Sequence, residues 1–181
     1  MKKLLLTIIL IGLSLPFADK ADAQWSIGAS YEVRDENPTN GFGLRVERGI
    51  LNMVPIVDFD MRAHFSYFSE TNEASLAGAT ISQEFESYDF GIAVTAGVKV
   101  AMVKPYVGFG LGSETFDFSS DDNQSSFSED NFYWNGFGGL ELRLLPLLNP
   151  FIEYRITNLT SPDEVDFDNV GRIAFGINLR F

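Results

Sequence analysis

The sequence predicts an all-β chain, an eight-stranded antiparallel up-and-down barrel that crosses a membrane. Three observations carry that prediction. Apolar and polar residues alternate along most of the chain, whereas helical periodicity is scarce. A short proline-centred pattern returns three times at spacings that suit one rim of a barrel. The two faces defined by the alternation are unlike, one apolar and one charged.

The first segment, MKKLLLTIILIGLSLPFADKADAQ, is not barrel. Lys2 and Lys3 precede an apolar run from Leu4 to Leu15, and Ala21-Asp22-Ala23 stands before Gln24. That order is the one of a secretory signal peptide, so residues 1–23 are set apart and residues 24–181 form the barrel domain. The chain has no cysteine, which removes disulfides, thiol nucleophiles and thiolate metal sites. After the leader no apolar run approaches the roughly 20 residues of a membrane helix, so a membrane-embedded mature chain has to be a closed barrel.

Eight strands follow from the alternation: 25–34, 40–49, 56–68, 85–98, 105–116, 132–144, 150–159 and 170–181. An even count returns both ends to one rim. The segments LNMVPIVDF, AMVKPYVGF and PLLNPFIEY align on Pro55, Pro105 and Pro150. Proline fixes its own φ and lacks an N–H, which suits the first position of a strand leaving a turn. These three short turns share a rim. The connections 35–39, 69–84, 117–131 and 160–169 are mostly longer and rich in Ser, Asn, Asp and Glu, and they belong to the other rim.

The closing stretch GRIAFGINLRF shows the two faces plainly, with Ile173, Phe175, Ile177, Leu179 and Phe181 on one side. The same apolar face holds Trp25, Ile27 and Tyr31, then Phe42 and Leu44, Phe65 and Tyr67, Tyr88 and Phe90, Phe109 and Leu111, Trp134 and Leu140, and Ile152 and Tyr154. The opposite face holds Glu32, Glu47, Asp58, Asp60, Asp89, Glu114, Glu141 and Glu153. With them stand Arg34, Arg45, Arg62, Lys99, Arg143, Arg155, Arg172 and Arg180, eight bases for eight acids, and His64. A soluble barrel turns its apolar face inward; a membrane barrel does the reverse and balances the charges it encloses. Trp and Tyr at the ends of the apolar face resemble interfacial girdles and favour the membrane arrangement.

Fifteen further acids are Asp35, Glu36, Glu70, Glu73, Glu84, Glu86, Asp117, Asp121, Asp122, Glu129, Asp130, Asp163, Glu164, Asp166 and Asp168. All fall in or beside the four long loops, while the remaining bases Arg48 and Lys104 fall at the opposite rim. The formal net charge of −12 is therefore a property of the loop end, which excludes nucleic acid as a partner there.

The stretch KPYVGFGLG at 104–112, the closing strand ending in Phe181 and the leader together resemble the outer-membrane β-barrel domain family of Gram-negative bacteria. Small eight-stranded barrels similar to OmpX and the OmpA barrel belong to it. The resemblance covers the whole mature chain as a pattern. It implies outer-membrane localisation and contact with outer-membrane lipid and lipopolysaccharide. Gly176, Leu179 and Phe181 are similar to the terminal signal read by the barrel-assembly machinery, although Ala174 stands where that signal has a polar residue. The last strand is then expected to pair with the first.

Candidate chemistry is sparse. His64 and Ser66 share a face, as in some outer-membrane lipid A deacylases, but that face is the one assigned to the interior. The expected role of His64 is a member of the interior polar network. The loop SSDDNQSSFSED, 119–130, has hard oxygen ligands but not the spacing or central Gly of an EF-hand. Gly108, Gly110 and Gly112 lie in a strand, where they make room for large interior neighbours and do not cradle phosphate.

The expected function is a non-enzymatic envelope scaffold or surface-interaction protein, with no catalytic, metal or cofactor-binding residues and no cofactor. Its interior is filled by side chains, and its acidic loops face extracellular protein or host surfaces. A narrow porin-like channel or carrier for small solutes is the main alternative. A lipid A-modifying enzyme built on His64 and Ser66, and a soluble barrel with inverted faces, are further ones.

Overall fold

The computed structural model describes residues 25–54, 56–76, 79–120, 126–143, 147–160 and 168–181. The expected leader and the centre of the 119–130 loop lie outside them. Eight strands are present: β1 (Trp25–Arg34), β2 (Asn40–Val54), β3 (Val57–Leu76), β4 (Ala79–Val98), β5 (Val103–Ser120), β6 (Ser126–Leu142), β7 (Leu148–Thr160) and β8 (Asp168–Arg180). Each pairs antiparallel with its chain neighbours, and β8 pairs with β1, so the sheet closes into a barrel.

Closure is completed at the chain's end. Trp25 and Phe181 exchange backbone hydrogen bonds of 2.9 Å in both directions. The register then runs without a shift from Ser26↔Arg180 to Arg34↔Arg172. Strands that pair on both sides leave no exposed edge, which is the condition for backbone to sit in hydrocarbon.

Side-chain parity makes two surfaces. Phe42, Phe90, Ile92, Phe109, Val107 and Phe175 are about half exposed or more on the outside. Glu153, Arg172, Asp89 and Asn178 are buried inside. Tyr31, the neighbouring pair Tyr67 and Tyr88, and Trp134 mark one end of the apolar band, and Trp25 the other. From Val57 to Tyr67 the strand advances about 33 Å along itself, or ~25 Å along the axis at a tilt near 40°, the height of a barrel's apolar band.

Several strands are longer than the sequence predicts. The segments 69–84 and 117–131, expected as long polar loops, are mostly paired strand, with register continuing to Leu76↔Ala79 and Ser119↔Ser126. Their polar composition suits strands standing in water above the girdle. β2 also continues past Gly49, through register shifts between Gly49 and Leu51 and between Leu51 and Val54. Pro105 and Pro150 are not strand-initiating: each is the third residue of its strand. The turn after β4 places Ala101 at φ 51°, inside the reciprocal 2.9 Å backbone bonds of Val100 and Val103.

On the far rim the 35–39 connection is short and tied down. Arg34 Nε donates to the Pro38 carbonyl at 2.7 Å, and Glu70 accepts from both Thr39 N and Thr39 Oγ1 at 2.8 and 2.9 Å. Asp35 receives the Gly171 N–H at 2.9 Å.

Candidate functional site: the lumen and its far mouth

The inward-facing residues of all eight strands meet inside the barrel, where most of them are buried from solvent. Ionised groups in that position have to find each other. They do so in three tiers.

At the terminal rim Asp58 accepts from Lys99 at 2.6 Å and Arg143 at 2.9 Å, and Lys104 reaches Asp60 at 2.8 Å. Glu141 lies 3.5 Å from both Arg143 and Arg180, and it accepts the Asn178 amide at 2.8 Å. Two positions differ from the sequence reading. Lys99 follows the end of β4 and is 45 % exposed, reaching back to Asp58 from the rim and not from the lumen. Lys104, read as a rim residue, is buried at 3 % exposure. Its even-numbered parity with Tyr106 on β5 was the available signal.

The middle tier is a knot around Glu153 of β7. Its carboxylate accepts from Arg62 at 2.6 Å, Arg155 at 2.8 Å, Arg45 at 3.2 Å and the Tyr106 hydroxyl at 2.9 Å. Glu47 takes a second contact from Arg62 at 2.7 Å. Aromatic rings fill the space between: Arg45 lies 3.4 Å from the Phe151 ring centroid, and Arg62 4.5 Å from that of Phe137.

The upper tier joins Arg172 to Asp89 at 2.7 Å and to Glu32 at 3.1 Å. The Tyr133 hydroxyl donates to Asp89, and its oxygen lies 3.0 Å from His64 Nε2. Ser66 accepts from Arg172 at 3.3 Å. Arg34 pairs with Glu114 at 2.5 Å, and Phe68 is clamped between Arg34 and Arg172. His64 and Ser66 are both buried, so neither presents a group to lipid.

The interior glycines explain how rings as large as these fit. A Cβ on Gly112 would strike the Tyr133 phenol, and one on Gly108 the Phe137 ring. Of the terminal residues, Gly176 lies against the Phe151 ring, whereas Leu179 and Phe181 point outward at 49 % and 66 % exposure.

Beyond the upper tier a cavity of about 340 Å³ opens at the mouth, with Arg34 and Glu114 among its lining residues. Among the described residues no group of three His, Asp or Glu side chains is placed to hold a metal ion. Asp130, the described end of the candidate calcium loop, accepts from Thr115 at 2.6 Å.

Solved barrels share this architecture. Neisserial surface protein A matches with a TM-score of 0.61 at 16 % identity over 89 % of this chain and 98 % of its own. The attachment invasion locus protein Ail of Yersinia pestis, in complex with the heparin analogue sucrose octasulfate, matches at 0.61 and 20 %, over 89 % and 100 %. A major outer membrane protein of Thermus thermophilus matches at 0.68 and 12 %, over 89 % and 100 %. None of the curated proteins matches the chain. Identities this low speak for the fold alone. Residues 4–181, nearly the entire sequence, match the family described as outer membrane protein beta-barrel domain. The chain belongs to that outer-membrane family.

Proposed function

We propose that the protein is a sealed, non-enzymatic barrel of the outer membrane that acts as an envelope scaffold and surface-interaction protein. The observation that carries this reading is the Glu153 knot, in which side chains of β2, β3, β5 and β7 converge on one carboxylate. Eight strands leave a bore that side chains can fill, and paired guanidinium groups with stacked rings are costly to move aside. Its far rim faces the outside, and residues 1–23 direct export. Leu179 and Phe181, outward and exposed, suit recognition by the barrel-assembly machinery.

The partner of the surface is not a polyanion of the kind bound by Ail. Every Lys and Arg of residues 25–181 lies at or below Arg34, so the far rim has no basic side chain to offer. Lipopolysaccharide contact through divalent ions, or a basic protein surface, fits its carboxylates better.

The test is solute-driven swelling of liposomes that contain the refolded chain, with the folded state checked by heat-dependent gel mobility. Folded protein without swelling is the expected result. Swelling above that of empty liposomes would replace this reading with the narrow-channel one. That second reading has an observation of its own: Asn135, Thr157 and Arg155 Nε are buried polar groups without a protein partner, so the filled bore keeps unused hydrogen-bonding capacity. A channel would conduct more when Arg62→Ala or Arg143→Ala removes a plug residue. An enzyme built on His64 would lose lipid A deacylation in His64→Ala; we expect lipid A to be unchanged.

A further inference from the structure

Above the girdle the strands reverse their side-chain code while keeping their register. In the membrane band the outward positions of β4 to β6 include Phe90, Phe109 and Trp134, and the inward ones Asp89, Gly110 and Asn135. Past the band the outward positions are Glu84, Glu86, Asp117 and Asp130, and the inward ones Phe85, Phe116, Phe118 and Phe127. Pairing is unbroken from Gly97↔Tyr106 to Gln83↔Ser120, so no bulge causes the switch. The residues themselves change, as they would in a sheet that stands in water and has an inner face to cover.

The inner aromatic face packs on itself. Phe85 and Phe118 have centroids 5.1 Å apart, Phe118 and Phe127 5.5 Å, and Phe116 and Phe127 6.0 Å. It is not closed over, because Phe127 is 52 % exposed. Where this face descends to the mouth it forms one wall of the 340 Å³ cavity. Phe116 and Phe127 face Leu159 and Val170 across it, with Glu36 and Glu129 among its polar walls. The one guanidinium there, Arg34, is engaged by Glu114 at 2.5 Å.

The charge lining this cavity is negative on balance. Three carboxylates line it against one guanidinium, and the other basic side chains of residues 25–181 sit deeper in the lumen or at the terminal rim. Aromatic faces attract cations, and apolar walls of this size enclose a small organic body. The geometry points to the mouth cavity as a binding site for a small amphiphilic organic cation, an ammonium or guanidinium carried on an aromatic or branched aliphatic frame. The site rests on the reading that this rim faces the outside. Neither feature suffices alone: a compact inorganic cation leaves the phenyl and aliphatic walls unused, and an apolar anion meets the carboxylates.

The experiment uses the full mature barrel in nanodiscs, with the methyl groups of Leu159 and Val170 followed by NMR. Three probes separate the contributions: benzyltrimethylammonium, tetramethylammonium and benzenesulfonate. Saturable shifts of both methyls are expected with benzyltrimethylammonium, and at least tenfold weaker ones with the other two. Glu129→Gln should weaken binding about fourfold, as loss of one nearby charge in water-like surroundings does. Phe127→Ala, at an exposed position that leaves the barrel intact, should weaken it about fivefold. The proposal is overturned if benzenesulfonate binds as well, if no probe shifts the methyls, or if both variants bind like the parent. A barrel that ignores the cation yet still holds solute in the swelling assay would leave the sealed-scaffold reading standing.

Discussion

Arg62 on β3 and Glu153 on β7 meet across the full width of the lumen at 2.6 Å, a contact between residues 91 positions apart. The carboxylate at its centre answers three guanidinium groups. Replacing it by an amide leaves those three cations enclosed, with Glu47 still beside Arg62 and Arg45. Glu153→Gln should therefore lower stability by about 3–5 kcal/mol, the cost of stranding a buried charge. The midpoint of urea unfolding in micelles reads this directly, and a midpoint equal to the parent's would mean that the knot contributes nothing.

Tyr133 offers a gentler perturbation of the upper tier. Its hydroxyl joins His64 to Asp89, and its ring occupies the space left by Gly91 and Gly112. Tyr133→Phe keeps the ring and removes the bridge, so a loss of about 1–3 kcal/mol is expected. Gly112→Val should do more harm, because a side chain there meets the phenol itself. The order of the two unfolding midpoints checks the packing argument.

The lipid face makes its own demand. Ile92 is 57 % exposed near the middle of the band, while Ala93 beside it is buried inside. Ile92→Arg should cost about 2–4 kcal/mol in a bilayer. Ser128→Arg, at an outward position above the band, should cost no more than about 1 kcal/mol. Equal costs at the two positions would contradict the placement of the water line between them.

One substitution should strengthen the barrel. Ala101 holds φ 51° in the turn between β4 and β5, a region that penalises a Cβ by about 1–2 kcal/mol. Glycine removes that penalty at a smaller cost in chain entropy, so Ala101→Gly should gain about 0.5 kcal/mol. A small rise in the unfolding midpoint is the expected outcome, and a fall would show that the turn is unstrained.

The barrel was legible in the sequence because a membrane demands strict alternation, and eight stretches from Trp25 to Phe181 obey it. Where that demand lapses, so did the reading. Residues 69–84 and 117–131 look like loops because their apolar positions, Phe118 and Phe127 among them, fall on the parity that carries charge lower down. Lys104 looked like a rim residue because it sits beside a proline turn, although its parity with Tyr106 pointed inward. Lys99 looked interior by parity, but a long side chain just past a strand end is free to turn to water. Cross-lumen partners such as Arg62 and Glu153 could not be read at all. Alternation says which face a residue occupies, not which of the seven other strands it will meet.

The paired backbone groups of Trp25 and Phe181 make the described chain almost a ring. A short linker between those residues would complete it, and the break could be moved elsewhere, for instance into the turn at Ala101. Such a permuted barrel would keep every strand neighbour while carrying Phe181 in mid-chain, so its folding in micelles and its insertion in cells would separate what the closing strand does for the architecture from what a terminal phenylalanine does for delivery.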